Sequence, residues 1–230
     1  MKISVIVATR NEGFYIGSTL KRLRQISQAG PLEIIVVDGR SDDETAAAAK
    51  DWADQVVMHE RPNRGEQFHI GARKASGEFL LFLRGDAQLH GSWQQTLEHF
   101  WLSPRLEGVA ATAFTVEYGA GLTMRMASFL SNASVRWRGK ASDEHGLCTT
   151  ADIYRHSGGF PPYPCLEDLA FCERLRPFGR VVMLPELIWP SARRLHRLGV
   201  LRCAAGQLWR EWRFALGGKP EDIGSGQDDY

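Results

Sequence analysis

The chain has 230 residues, 43% of them hydrophobic, which is enough for one sizeable core, and its formal net charge is +1. A chain this close to neutral has no global electrostatic attraction to nucleic acid. No apolar run approaches the ~20 residues of a membrane span, and the run after Lys2, Ile3 to Ala8, is too short for a signal-peptide core.

ISVIVA, 3–8, is β-branched and continuous, as expected of a parallel strand buried on both faces. Asn11 to Ala29 spaces Ile16, Leu20, Leu23 and Ile26 by three and four, an amphipathic helix that Gly30-Pro31 ends. LEIIVV, 32–37, is a second buried strand, closed by Asp38-Gly39. Asp42 to Ala53 reads as an alanine-rich helix capped by Ser41 or Asp42. QVVMH, 55–59, is a third strand, RPNRGE, 61–66, a loop, and Gln67 to Ser76 a helix stopped by Gly77. Phe79 to Leu83 is a fourth buried strand. Strand and helix alternate throughout, which predicts an α/β fold: a doubly wound, mostly parallel sheet flanked by helices.

Further on, Ser92 to Leu102 is expected to be helical, 108–118 a strand, and Leu122 to Arg136 a helix. GLCTTADIYRHSGGF reads as a strand, a helical turn and a Gly-Gly break. Glu167 to Phe178 is a helix, 180–186 the last strand, and Ser191 to Leu216 one helix or two, after which the tail should fray. Cys148, Cys165, Cys172 and Cys203 form no C-x-x-C pair, so neither zinc nor a disulfide framework is expected. Free thiols in a chain without a signal point to the cytoplasm.

Three of the strand ends carry acids: Glu12 in ATRNE, Asp38 in DGRSDDET, and Asp86 after FLLFLRG. Ligands sit at the carboxyl ends of strands in open α/β sheets. One strand-terminal acid before a glycine is an ordinary turn. Three on one rim repel one another and call for a cation or a donor-rich ligand. A nucleotide brings N–H and hydroxyl donors, and its phosphates bring magnesium or manganese, which take oxygen ligands.

The stretches SVIVATRNE, IIVVDGRSDDET, NRGEQFHIGARKASGEFLLFLRGDAQL and LEDLAFCERL resemble family 2 glycosyltransferases of the GT-A fold, over about residues 2–90 and 144–190. The tail SARRLHRLGVLR resembles the small bacterial subgroup found near arsenosugar biosynthesis and radical-SAM/selenodomain proteins. The resemblance implies an inverting enzyme that moves a sugar from a nucleotide-diphospho-sugar to the hydroxyl of a small-molecule or lipid-linked acceptor. It implies one catalytic domain at 1–217, with a nucleotide-binding half at 1–90, an acceptor and catalytic half at 91–190 and a helical segment at 191–217; residues 218–230 are then a flexible tail.

On the donor side the resemblance has Ala8, Thr9 and Glu12 embracing base and ribose, and Asp38 accepting from the base. Arg64 and Gln67 would face base or phosphates, and Gly65 and Gly71 match glycines of the family's loop-helix segment. Asp86, after Gly85, would hold a divalent cation, Mg or Mn, bridging the donor diphosphate. The family's D-x-D motif is incomplete: Arg84 replaces its first aspartate, where the subgroup commonly has histidine, and Ala87 follows. Arg84 would then bring positive charge to phosphate.

Glu167-Asp168 opens a helix, where acids complement the macrodipole and need no further role. The order GGFPPYPCL, then Glu167-Asp168, then Arg174 matches the family, and the resemblance makes Asp168, with Glu167 beside it, the general base. Arg193 and Arg194 are either near the leaving phosphates or on a solvated helix face. Glu144-His145-Gly146 stands where the subgroup has an Asp-Gln-Gly that lines the acceptor side. His69 and His196 read as structural or exposed.

In the tail, Trp209, Trp212 and Phe214 alternate with Arg202, Arg210 and Arg213. Such a segment is core or a homo-oligomer contact before it is a peripheral contact with the inner membrane surface. QLWREW lacks the spacing of a processive synthase's Q-x-x-R-W. Two other functions stay open. A nucleotidyltransferase would want a more glycine- and arginine-rich first loop than ATRNEGFYIG; a degenerate nucleotide-binding scaffold would account for the broken D-x-D.

Overall fold

Ile3–Thr9 forms the first strand (β1) of this computed structural model, and all seven of its residues are buried, as a continuous β-branched run in mid-sheet requires. The structure describes residues 1–103 and 106–223, and of Glu221 the backbone alone. Helix α1 (Gly13–Ile26) buries Ile16, Leu20 and Leu23 against the sheet. Strands β2 (Leu32–Asp38), β3 (Gln55–Met58) and β4 (Phe79–Arg84) follow, separated by α2 (Thr45–Lys50) and α3 (Arg64–Lys74).

Two local readings need correction. Helix α2 starts three residues late and takes no side-chain cap from Ser41 or Asp42. Ser41 instead donates from its N and Oγ to Asp38 at 2.8 and 2.6 Å, so the polar residues tie the loop rather than the helix. Helix α3 begins inside the expected loop. Asn63 caps it by accepting from Glu66 N, and its first turn is packed rather than open.

The second half adds β5 (Gln88–Leu89), α4 (Trp93–Trp101), β6 (Val109–Val116) and α5 (Leu122–Arg138). A 3-10 turn (Asp143–His145) leads into β7 (Leu147–Thr150) and α6 (Ala151–His156). Then come α7 (Glu167–Leu175), β8 (Arg180–Trp189), α8 (Arg193–Leu198), α9 (Val200–Ala215) and α10 (Pro220–Ile223). Part of the segment expected to fray is docked: Ile223 is buried against Cys165, Leu166 and Leu169. Residues 224–230 lie outside the described residues.

Among the described residues the strands form one sheet in the order β3-β2-β1-β4-β7-β6-β8-β5. β3, β2, β1 and β4 are parallel; β7 runs antiparallel to both β4 and β6. Register sets the rim: Thr9 pairs with Asp38, and Ala8 with Arg84, so three strand ends stand level. Because β7 is reversed, with Phe82 opposite Leu147, the turn that precedes it opens onto the end of β4. The core lies on both faces of the sheet, one cluster around Ile16, Leu20 and Trp93, the other around Phe68, Phe82 and Phe171.

Candidate active site

Strand β4 ends in Arg84-Gly85-Asp86. A Cβ on Gly85 would lie 2.8 Å from Thr9 Cγ2, so only glycine lets the turn sit against β1. The turn brings Asp86 back beside Arg84, whose Nε and Nη2 lie 3.1 and 3.3 Å from its two carboxylate oxygens. Arg193, from the start of α8, reaches across the rim. Its Nη2 is 2.7 and 2.9 Å from the two oxygens of Glu12 and 3.0 Å from Asp86 Oδ2, and its guanidinium stacks 4.8 Å from the Tyr15 ring. Arg193 therefore stands at the rim beside Glu12 and Asp86; Arg194, next to it, is half-buried and accepts from Cys203 Sγ through its carbonyl.

These contacts set the charges. Burial raises the Glu12 carboxyl and Asp86 raises it further, against the pull of Arg193. Asp86 is also buried, but Arg84 and Arg193 outweigh that and hold it below its ordinary value. Burial opposes the charge on Arg84, yet Asp86 and Asp143 hold its pKa above the usual arginine value.

Across the rim lies a second acidic group. Arg64, at the first turn of α3, is 2.6 Å from Asp143 and 2.5 Å from Glu167; Arg84 Nη1 is 3.5 Å from the same Asp143 oxygen. Asp168 accepts from Leu169 N at 2.6 Å and from Asp143 N at 3.3 Å. Burial, Glu167 and Asp143 push the Asp168 carboxyl well above the usual carboxylate range. Glu167 is raised by burial and Asp143, and its Oε2 is buried with no hydrogen-bond partner among the described residues. Leu166, just before the pair, has φ 58°, a strained value for a leucine, which aims the helix start at the rim.

Some expected site residues lie elsewhere. Asp38 is fully buried, its oxygens taken by Ser41 and, at 3.4 Å, by Thr9 Oγ1, so it braces the loop instead of projecting into a crevice. Gln67 is fully buried and donates to Thr9 O and Val37 O, joining β1 to β2 rather than facing base or phosphate. Arg64 faces the Asp143–Glu167 side, not the donor end. His145 is buried, with Nδ1 2.9 Å from Ser142 Oγ and Nε2 3.3 Å from Ser131; burial lowers its pKa to about 4, so it packs as a neutral ring and not as an acceptor ligand. Glu144 accepts from Tyr118 OH and is near enough to Asp143, Arg84 and Asp86 to feel their charges.

Asp143, Tyr118 and Tyr15 complete the cluster and were not singled out by sequence. Only Asp143 left a signal there, as an acid directly before Glu144. A separate cleft of about 630 Å³, between α3 and the 158–162 loop, is lined by His59, Arg61, His69 and Arg174 and by none of the candidate carboxylates.

The donor set bears on a divalent cation. No group of three or more His, Cys, Asp or Glu side chains is placed to hold a metal ion among the described residues. Yet three carboxylate oxygens, two of Glu12 and one of Asp86, already converge on a single cationic nitrogen. Such an all-oxygen nest fits a hard ion, provided Arg193 yields its place.

Residues 4–158 match a family model described as Glycosyl transferase family 2. The chain belongs to that family. Solved structures give family 2 its fold here. TarS 1–349 of S. aureus in complex with UDP-GlcNAc is 21% identical with a TM-score of 0.62, covering 84% of this chain and 59% of that one. The mannosyltransferase PcManGT of Pyrobaculum calidifontis, in complex with GDP-Man and Mn2+, is 22% identical with a TM-score of 0.65, over 87% and 61% of the two chains. Glucosyl-3-phosphoglycerate synthase of Mycobacterium tuberculosis, with Mn2+, UDP and glucosyl-3-phosphoglycerate, is 20% identical with a TM-score of 0.63, over 90% and 78%. The chain therefore has the GT-A fold and spans about three fifths of the length of the first two. No curated protein sequence matches it.

Proposed function

We propose that this family 2 chain is an inverting glycosyltransferase that moves a sugar from a nucleotide-diphospho-sugar to an acceptor hydroxyl. One juxtaposition supports the reading. The Glu12–Asp86–Arg193 nest and the Glu167–Asp168 pair, drawn from distant parts of the chain, share one rim through Asp143, Arg64 and Arg84. The donor diphosphate would lie against Arg84 and Arg193, the acceptor against Asp168.

In this reading Asp168 takes the proton of the acceptor hydroxyl as its oxygen attacks the anomeric carbon. The bond from that carbon to the diphosphate breaks on the opposite face, and the electron pair leaves with the diphosphate. A carboxyl raised above its ordinary value is the stronger base once ionised, which suits this role. Arg84 and Arg193 meet the charge that grows on the leaving group. Glu12 and Asp86 would hold a divalent cation, which when bound supplies further charge screening there. The tail also supports placing the chain in the subgroup found near arsenosugar biosynthesis, with a small-molecule or lipid-linked acceptor.

Calorimetry with nucleoside di- and triphosphates, with and without manganese, tests the donor half. A diphosphate should bind, more tightly with manganese, and Asp86→Asn should remove the manganese gain and lower the melting temperature, because Arg84 and Arg193 lose a charged partner. Preference for a triphosphate would indicate nucleotidyl transfer, and no response to any nucleotide would indicate a scaffold.

A further inference from the structure

Helix α9 is amphipathic, but none of its residues is buried. Leu201, Ala205, Leu208, Trp209, Trp212 and the C-cap Leu216 recur at helical spacing, and all of them face solvent. Leu201 is 82% exposed and Trp212 62%. Helix α5 repeats the pattern: Leu122, Met126, Phe129, Leu130 and Trp137 stand at the same intervals from its start, with Phe129 62% and Trp137 72% exposed. The two helices are joined by the Arg138–Glu211 ion pair, so two outward apolar stripes lie on neighbouring elements. Exposed large apolar side chains gathered in this way mark an interaction surface.

The charge on these helices decides what the surface meets. Between them α5 and α9 carry six arginines and one glutamate, a net +5 on a chain whose total is +1. Arg136 and Arg138 flank Trp137, while Arg210 follows Trp209 and Arg213 follows Trp212; the Arg213 guanidinium lies 5.3 Å from the Trp209 ring. A symmetric contact with a second copy would set these arginines against their own kind, which is repulsive. An anionic lipid headgroup layer complements them, and tryptophan favours the boundary between headgroup and acyl chain. No described helix is long and apolar enough to cross a membrane, so the contact lies in the plane of the surface.

We propose that the α5–α9 face is a docking surface for an anionic lipid bilayer, with the two apolar stripes entering the interface and the arginines engaging headgroup phosphates.

Sedimentation with vesicles of phosphatidylcholine, with and without phosphatidylglycerol, tests this. Partition should favour the anionic vesicles by about tenfold or more and fall as salt rises. The double variant Trp209→Glu/Trp212→Glu, and separately Phe129→Glu, should each lower partition by about tenfold. Their melting temperatures should match the parent, because the replaced side chains are exposed. Arg136→Gln/Arg213→Gln should weaken the salt dependence. Failure to bind, or equal binding to both vesicle types, overturns the proposal. So does a concentration-dependent dimer, seen by analytical ultracentrifugation without vesicle binding, that the Trp209→Glu/Trp212→Glu variant returns to monomer.

Discussion

Asp168 holds a proton more tightly in the folded chain than in the unfolded one, because burial, Glu167 and Asp143 all oppose its charge. Stability therefore falls as pH rises from its ordinary value through the raised one, while its competence as a base rises over the same interval. Asp168→Asn should lower transfer by ~10²–10⁴-fold, keep diphosphate affinity, and leave the melting temperature at pH 8 unchanged or higher. Near-normal turnover would reduce Asp168 to a helix-terminal acid and move attention to Glu167 and Glu144. His145 behaves in the opposite sense. Its folded value, about 4, lies below the ordinary 6.5, so its contribution is complete above pH 6.5 and is lost as pH falls toward 4, at a cost of about 3 kcal/mol. His145→Gln should flatten melting temperature against pH over that interval; an unaltered slope would mean that another group controls acid unfolding. Sequence marked both residues but could not separate them. An acid and a histidine near a rim look alike until burial and partners are known.

At the scale of elements, the meeting of α3 with the start of α7 builds the proposed acceptor side. A Cβ on Gly65 would lie 2.1 Å from Pro161 O and 3.1 Å from Glu167 Cβ. Gly65→Ala must therefore push α3 away from the 161–167 segment and loosen Arg64 from Glu167. Overpacking of this kind costs about 1–3 kcal/mol, and transfer should fall by more than the lost stability explains, since the proposed base, Asp168, moves with the segment. Chemical denaturation and turnover on the same sample check both; an unperturbed variant would show that this contact is not tight. Family resemblance picked out Gly65, but the contact itself joins segments a hundred residues apart, and no local pattern carries it. The late start of α2 has the same kind of cause. Ser41, which looks like a cap, is spent on Asp38 and Asn11, and Asp42 gives its backbone N–H to Asn11 Oδ1 across the β1–β2 boundary.

For the whole molecule, stability should be uneven. β1, β2 and β4 are buried in mid-sheet, whereas no residue of α9 is buried. Amide exchange should be slowest in those strands and faster by orders of magnitude in α9, because opening α9 exposes little apolar surface. Equal protection would mean that α9 is covered in solution. The sequence by itself determined the strands of residues 1–90 and the existence, though not the starts, of the helices between them, because buried β-branched runs and three-four spacing need no partner to be read. It also brought Glu12 and Asp86 to one rim, since parallel strands must end together. Only the tertiary structure decided the rest. Reversal of β7 delivers Asp143 and Glu144 to the end of β4, α8 throws Arg193 back over Glu12, and α9 turns its apolar stripe outward. Each of these depends on chain direction or on which face finds a partner, and periodicity gives the stripe of a helix without saying what lies against it.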